Sequence, residues 1–291
     1  MAGVILEGMG VVGSLVARHL AEREVEFNWF DKGRSISAWR ACTGSVYPSG
    51  DAESEWAREQ WRTMLPEYTE TAPLVFCTKR PPHGGRYSWT EASCGLNVGD
   101  VESIHVNAQR LVEDTRRLLE PNKVWVVESS QMLPTYLVTH GWSWRRVDSL
   151  WGWSAPVRVE RLDSTLPERA CYYLKEGRFL TAYAYPRPGT DEYYAGSSMI
   201  PQVREHKLDA QSHFLAWRDR FERLARGGVR VEQIGPTVQG WRPRGAPGPM
   251  IALNPAPPHT YAIRPQGPNG VRHAPLYLRA VDQLLRPVGD Q

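Results

Sequence analysis

The chain has 291 residues and a net charge of +3, a length that allows a sizeable core and two domains. This charge is too small to require a nucleic-acid partner, and no apolar run approaches the length of a membrane span. The four cysteines are scattered without a C-x-x-C pair, which indicates neither a disulfide framework nor a zinc site. We therefore expect a soluble, cytoplasmic protein that binds no metal.

The N-terminal stretch has the pattern of a βαβ unit. Apolar residues 4–6 predict a buried strand, and residues 8–13 spell Gly-Met-Gly-Val-Val-Gly. Apolar residues then recur at helical spacing, and a second predicted strand, 25–30, leads into Asp31. A glycine-rich turn in this setting predicts a dinucleotide site.

Each part of this unit has a physical role in binding a dinucleotide. Gly8 permits the tight turn, Gly10 lets backbone approach a pyrophosphate, and Gly13 lets the helix pack close to the sheet. The helix N-terminus attracts the phosphates. Asp31, roughly twenty residues on, accepts hydrogen bonds from ribose hydroxyls.

The middle of the chain alternates between predicted helices and strands. Asp51 or Ser54 is expected to cap a helix that carries Trp61 and ends at Pro66. Asn107 opens an amphipathic helix with Leu111, Val112, Thr115, Leu118 and Leu119 on one face. Strands are predicted at 74–77, 124–127 and 136–139.

From residue 151 to 199 the pattern is β-like and predicts an antiparallel sheet. Its clearest strands are 157–162, 183–185 and 193–195. A helix is predicted at 214–224, a Pro/Gly-rich loop at 235–258, a strand at 261–263 and a last helix from about Pro275 to Leu285.

The predicted fold class is α/β, with a FAD-binding Rossmann-like domain and an inserted antiparallel β-sheet substrate domain. The first domain comprises residues 1–72, 100–150 and 235–291, and the second comprises 73–99 and 151–234. The return of the chain to its first domain favours FAD over a nicotinamide cofactor, because FAD is long and needs contacts from the far end of the chain.

Further motifs follow in a characteristic order. They are Ala-Cys-Thr-Gly at 41–44, Ile-His-Val-Asn at 104–107, Thr-His-Gly-Trp-Ser at 139–143, Tyr-Ala-Tyr-Pro-Arg at 183–187, Gly-Ser-Ser-Met at 196–199, Trp-Arg-Pro at 241–243 and Asn-Gly-Val-Arg-His-Ala-Pro at 269–275. Together with the glycine-rich turn and Asp31, this series resembles the D-amino-acid oxidase superfamily of FAD-dependent oxidoreductases, most closely its glycine oxidase branch. The resemblance covers nearly the whole chain.

The resemblance implies FAD as the cofactor and assigns its contacts. The cofactor-binding residues would be Gly8, Gly10, Val11, Val12, Gly13, Asp31, Lys32, Ala41, Cys42, Thr43, Gly44, Val126, Thr139, Gly141, Trp142, Asn269, Gly270 and Val271. It also implies a small amino-acid or amine substrate, with Tyr183 and Met199 lining the pocket and Arg242 holding the carboxylate. A guanidinium suits that role because it stays charged and gives two parallel hydrogen bonds.

The chain also departs from the family pattern. The family usually has Gly-His and then an arginine before the Asn-Gly pair, and here Pro265, Gln266 and Pro268 stand there. A second cation at the substrate carboxylate is missing unless Arg264 or Arg272 supplies it. These departures argue against an ordinary free amino acid. The expected substrate is glycine or a glycine-like secondary amine, and the size of the group on its nitrogen is left open.

A second hypothesis is a flavin enzyme that acts on a macromolecule. Residues 142–153, with Arg158 and Arg161, interleave aromatic and basic residues, as surfaces that stack bases do. Some members resembling this family, including phage-encoded ones, cleave the C–N bond of a glycine attached to a modified thymine in DNA. The alternative for this segment is a core-facing tryptophan cluster with solvated arginines. The sequence does not indicate the oligomeric state.

Overall fold

The structure is a computed structural model that describes residues 4–31, 38–48, 51–80, 87–119, 135–138, 149–176, 180–197, 200–201, 209–243, 251–254, 260–263 and 270–285. The strands are β1 (Val4–Glu7), β2 (Phe27–Phe30), β3 (Ser45–Val46), β4 (Thr69–Phe76), β5 (Trp89–Glu91), β6 (Asn97–Val106), β7 (Thr135–Val138), β8 (Ser149–Arg161), β9 (Cys171–Glu176), β10 (Leu180–Pro186), β11 (Tyr193–Ser197), β12 (Ile200–Pro201), β13 (Val229–Gln233), β14 (Val238–Pro243), β15 (Ile251–Asn254) and β16 (Thr260–Ile263). The α-helices are α1 (Val11–Glu22), α2 (Ala52–Met64), α3 (Ala108–Leu118), α4 (Ala210–Leu224) and α5 (Gly270–Leu285), and short 3₁₀ helices cover Ala38–Ala41 and Pro66–Tyr68.

The smaller of two sheets contains the predicted βαβ unit. Its strand order is β15-β16-β7-β1-β2, and β1 pairs in parallel with both β2 and β7. Helix α1 crosses between β1 and β2, and its apolar residues Leu15, Val16 and Leu20 are buried with Leu6 in one core. Helices α3 and α5 pack beside α1. The predicted N-terminal unit is confirmed.

The larger sheet has 11 strands and follows the path β12-β8-β11-β10-β9-β4-β6-β3. Strand β8 also pairs with β13 and β14, and β5 pairs with β6. The pairs are antiparallel, as predicted, except for β4 and β9, which run parallel. This parallel pair joins segments that are distant in the chain, so no hairpin turn in the sequence predicts it.

The two faces of the large sheet differ. Helix α4 covers one face with Phe214, Trp217 and Phe221, which share a core with Trp151 and Trp153 of β8. Because side chains alternate along a strand, the neighbours of these core residues lie on the other face. That other face carries a second, tyrosine-rich cluster.

Several predicted elements need correction. The region 235–258, predicted as a loop, contains β14 and β15, whose proline and glycine content hides the alternation. Helix α5 begins at Gly270 rather than near Pro275, and the strand predicted at 74–77 is longer and ends at Phe76. Strands β3, β5, β6, β12 and β13 were not predicted, and β9 lies within the predicted β-like region without having been singled out. The strand predicted at 124–127 lies outside the described residues.

Strand pairing also bears on the domain organisation. Strands β6 and β14 come largely from segments assigned to the FAD-binding domain, yet both hydrogen-bond within the large sheet. The boundaries of the two domains stay a prediction. Among the described residues, no helix has the length and apolar character needed to cross a membrane.

Candidate dinucleotide and substrate site

The glycine-rich turn between β1 and α1 has an open backbone. Gly8 adopts a φ of +97°, a left-handed conformation that glycine enters without steric cost. Its N–H donates to the Phe30 carbonyl at 2.9 Å, which ties the turn to the end of β2. A Cβ atom on Gly10 would lie 3.8 Å from Trp39 Cδ1, and no other described residue comes within 4 Å of it. The turn therefore leaves room for a ligand beside Gly10.

The start of α1 presents backbone donors next to this space. The Ser14 N–H donates to the Gly10 carbonyl at 2.8 Å and begins the intrahelical ladder. The N–H groups of Val11, Val12 and Gly13 precede that ladder and point out of the helix end, where the helix dipole adds partial positive charge. Because the Val11 side chain packs into the core, these residues suit a pyrophosphate through their main chain.

Asp31 follows β2 directly and forms an ion pair with Arg116 of α3. The two side chains are 18% and 25% exposed. Arg116 also donates to the Met9 carbonyl, at 3.0 Å from Nη2 and 3.3 Å from Nε. The guanidinium thus links the predicted ribose-binding acid to the glycine-rich turn. Sequence analysis missed Arg116 because it belongs to no local motif.

A turn of small residues lies against β6. The predicted cofactor contacts Ala41, Cys42, Thr43 and Gly44 all lie in this turn. Gly44 has a φ of +67°, and a Cβ atom there would lie 1.8 Å from the Val106 carbonyl oxygen. Gln109 of α3 donates to the Cys42 carbonyl at 2.8 Å. Glycine is therefore required at Gly44, and α3 holds the turn in place.

The last predicted cofactor segment leads into α5. Its described residues Gly270 and Val271 open the helix, and the Val271 carbonyl accepts a hydrogen bond of 2.8 Å from Trp61 Nε1 of α2. Pro275 lacks the N–H that an α-helix would direct to this carbonyl. Trp61 therefore satisfies an acceptor that α5 leaves unbonded, and it fixes the start of α5 against α2.

Four of the five tyrosines in the cluster on the face of the large sheet away from α4 contact one another. They are Tyr47 after β3, Tyr173 on β9, and Tyr183 and Tyr185 on β10. The Tyr183 and Tyr185 rings stack with centroids 4.4 Å apart and planes 2° apart. The hydroxyls of Tyr47 and Tyr185 are hydrogen-bonded, and Tyr47 meets Tyr173 edge-on at 5.4 Å. The predicted pocket residue Tyr183 is thus one member of a packed cluster, which sequence analysis did not anticipate.

Gly196 explains how the Tyr183 ring is accommodated. The two residues face each other across β10 and β11. A Cβ atom on Gly196 would lie 2.2 Å from Tyr183 Cε2, far inside van der Waals contact. The tyrosine ring therefore occupies the space that any side chain at Gly196 would need.

His105 lies beneath this cluster and is fully buried. Its ring stacks on Tyr185 with centroids 5.5 Å apart. Burial, together with the Arg169 guanidinium, lowers the pKa of His105 to about 3. Among the described residues, neither ring nitrogen has a hydrogen-bond partner. The imidazole is therefore neutral, and its complete burial makes it a residue of the core.

Several predicted site residues lie outside the described residues. They are Lys32, Val126, Thr139, Gly141, Trp142, Met199 and Asn269. Arg242 lies on β14, where its backbone pairs with Leu150 of β8, but its side chain is outside the described part. Within the described ranges, no group of His, Cys, Asp or Glu side chains is placed to hold a metal ion.

Comparison with known proteins gives a match in structure alone. No protein-family model and no curated protein sequence matches the chain. Glycine oxidase from Bacillus cereus ATCC 14579 is similar with a TM-score of 0.71 at 15% identity, over 100% of this chain and 96% of that one. Iminodiacetate oxidase from Chelativorans sp. BNC1 is similar with a TM-score of 0.63 at 13% identity, over 95% and 93%.

A third similar structure was solved with the cofactor. The glycerol-3-phosphate dehydrogenase from Bacillus halodurans, complexed with FAD, has a TM-score of 0.57 at 14% identity, over 98% of this chain and 65% of that one. At these identities the likeness shows the fold. The chain has the α/β fold seen in these glycine oxidase, iminodiacetate oxidase and glycerol-3-phosphate dehydrogenase structures, which confirms the predicted α/β fold class.

Proposed function

We propose that this protein is a FAD-dependent oxidoreductase that cleaves the C–N bond of glycine or of a glycine-like, N-substituted amino acid. The observation that carries the proposal is a fold similar to a glycine oxidase over 96% of that chain. The chain carries both a dinucleotide turn and a sheet face lined by tyrosines. Fold alone does not define a reaction, so the residues of the site must support it as well.

The nucleotide-binding half fits the ADP portion of FAD. The N–H groups at the start of α1 suit the pyrophosphate, and Asp31 suits the ribose. When bound, FAD supplies a two-electron acceptor that takes a hydride from the substrate α-carbon. The protein itself has only to orient that C–H bond, neutralise the substrate carboxylate and exclude competing reactions.

The substrate half provides the orienting groups. We assign Arg242 to the carboxylate, since a guanidinium can grip it with two parallel charged hydrogen bonds. We assign Tyr183 and Met199 to the pocket wall. Stacking of Tyr183 on Tyr185 at 4.4 Å supports this role, because a fixed ring makes a rigid wall.

Two features support a substrate with a group on its nitrogen. Pro265, Gln266 and Pro268 stand where Gly-His and an arginine are expected beside the carboxylate, so a second cation is missing there unless Arg264 or Arg272 supplies it. The chain is also similar to an iminodiacetate oxidase, and iminodiacetate is a glycine whose nitrogen carries a second carboxymethyl group. In such a secondary amine, loss of a hydride from the α-carbon and of a proton from the nitrogen would give an imine, and hydrolysis of that imine would release an amine and a two-carbon oxo acid.

The described residues do not favour glycine on a modified DNA base as the substrate. Trp151 and Trp153 are 1% and 4% exposed and pack under α4, so they are not available to stack on bases. Arg158 pairs with Glu232 at 2.9 Å, and Arg161 donates to the Leu166 carbonyl at 2.9 Å. The described part of this segment therefore forms core and local polar contacts.

An anaerobic titration of the purified protein tests the proposal. Glycine, N-methylglycine and iminodiacetate are added in turn while the flavin absorption band is followed. We expect one of them to bleach the band in the wild type. In Arg242→Ala the protein should remain yellow, and the concentration needed for half-bleaching should rise by about tenfold or more, as loss of charged hydrogen bonds predicts.

Arg158→Ala is the matched control, because it removes another arginine from the same sheet, one that is 65% exposed. It should titrate like the wild type. A protein that takes up no FAD would refute the proposed function. Unchanged half-bleaching in Arg242→Ala would remove that arginine from the site.

A further inference from the structure

Arg116 connects three segments that are far apart in the chain. It lies in the last turn of α3, and its guanidinium reaches both the end of β2 and the inside of the glycine-rich turn. There it binds the carboxylate of Asp31 and the carbonyl of Met9. These are the two places where the ribose and the pyrophosphate of a dinucleotide are bound in a βαβ unit.

The planar face of the Arg116 guanidinium also packs against an aromatic ring. It lies over the Trp39 ring, 5.2 Å from the centroid, and Arg40 lies over the same ring at 4.8 Å. Trp39 is 9% exposed and is the residue nearest to the open side of Gly10. An arginine bonded at its edge and packed on an indole has a defined orientation.

The positive charge of Arg116 explains how this arrangement would favour a dinucleotide. A carboxylate that binds the ribose lies near the two negative charges of a pyrophosphate, and like charges at such short range repel each other. A cation paired with Asp31 offsets that repulsion while the carboxylate still accepts hydrogen bonds. The other partners of the phosphates, main-chain N–H groups, supply only partial charge.

We propose that Arg116 is a further residue of the dinucleotide site, a positioning residue that holds Asp31 and the glycine-rich turn in place for the ADP half of the cofactor. The inference rests on the proposed function in that it takes the cofactor to be FAD. It concerns nucleotide recognition only, and it predicts no direct role in the oxidation step.

The test is nucleotide binding to the cofactor-free protein, measured by calorimetry for FAD, ADP and 2′-deoxy-ADP. The wild type should prefer ADP over 2′-deoxy-ADP because Asp31 recognises the ribose hydroxyl. Arg116→Gln should weaken FAD and ADP binding by about tenfold or more, the effect of losing a charged hydrogen bond. It should also reduce the preference for ADP over 2′-deoxy-ADP, and Arg116→Lys should restore part of both.

Arg117→Gln is the matched control. Arg117 is the next residue of α3, 76% exposed, and pairs with Asp114 on the helix surface. Its variant should bind all three nucleotides like the wild type.

Several outcomes would overturn the inference. One is that Arg116→Gln binds nucleotides like Arg117→Gln. Another is that ADP and 2′-deoxy-ADP weaken equally in Arg116→Gln, which would indicate a purely structural role. The inference also fails if the wild type shows no preference for ADP. A wild type that binds ADP but not FAD would refute the proposed function, while the two ADP compounds would still test Arg116.

Discussion

At the scale of the residue, close packing rather than charge places Tyr183, the predicted pocket residue. Tyr183 lies against Gly196 and stacks on Tyr185, which is itself hydrogen-bonded to Tyr47. The position of the predicted pocket tyrosine is therefore set by a glycine on the neighbouring strand, by a tyrosine of its own strand and, through that tyrosine, by Tyr47 after β3.

We predict that Gly196→Ala destabilises the protein through Tyr183. The new methyl group must displace the ring, and overpacking of this kind costs about 1–3 kcal/mol. Urea unfolding of Gly196→Ala, Tyr183→Ala and the double variant measures the coupling. In the Tyr183→Ala background the extra cost should largely disappear. Strictly additive costs would show that the two residues do not interact.

At the scale of the element, α5 depends on α2 for its first turns. Pro275 interrupts the hydrogen bonds of the helix, and the Trp61 indole donates to the carbonyl left unbonded at Val271. A helix with an internal proline is normally kinked or broken at that point. Here a side chain from another helix replaces the missing donor.

We predict that Trp61→Phe destabilises the protein more than its loss of volume explains. Leaving the partly buried Val271 carbonyl without this donor adds about 1 kcal/mol to the cost of the smaller ring. Trp217→Phe is the matched control, because Trp217 is equally buried and its Nε1 has no hydrogen-bond partner among the described residues. Equal changes in the free energy of unfolding for the two variants would contradict this account.

At the scale of the whole molecule, stability depends on a buried, neutral histidine of the large sheet. His105 lies on β6 of the large sheet opposite Ser45 of β3, close to the turn that ends at Gly44. Its pKa falls to about 3 because burial disfavours the imidazolium, and the nearby Arg169 acts in the same direction. In the unfolded chain a histidine has a pKa of about 6.5.

Global stability should therefore depend on His105 in acid. Below pH ~6.5 His105 binds a proton in the unfolded chain but not in the folded protein. The free energy of unfolding therefore falls as the pH drops towards the folded pKa. Between pH 7.5 and 5 this contribution is about 2 kcal/mol. His105→Gln should lose correspondingly less stability than the wild type over that range. Urea unfolding at several pH values measures this, and parallel curves for both proteins below pH 6 would disprove it.

Local patterns in the sequence are sufficient to predict many of the helices, strands and turns. The strand, glycine-rich turn and helix that end at Asp31 are determined by neighbours in the chain, because turn geometry and helical periodicity act over a few residues. The caps of α3 and α2 are local in the same way. The side chains of Asn107 and Asp51 each accept a hydrogen bond from a backbone N–H in the first turn of the helix that follows. The alternation in β10 and β11 likewise predicts a sheet without reference to its partners.

The tertiary structure alone decided which of these elements meet. The sequence determined that a dinucleotide turn precedes a β-rich half, but the parallel pairing of β4 with β9 joins strands that no local signal connects. The contact of Arg116 with Asp31 joins residues from different motifs, as does the support of α5 by Trp61. The physical reason is that such contacts depend on packing between segments distant in the chain, whereas propensity and periodicity report only on each segment by itself.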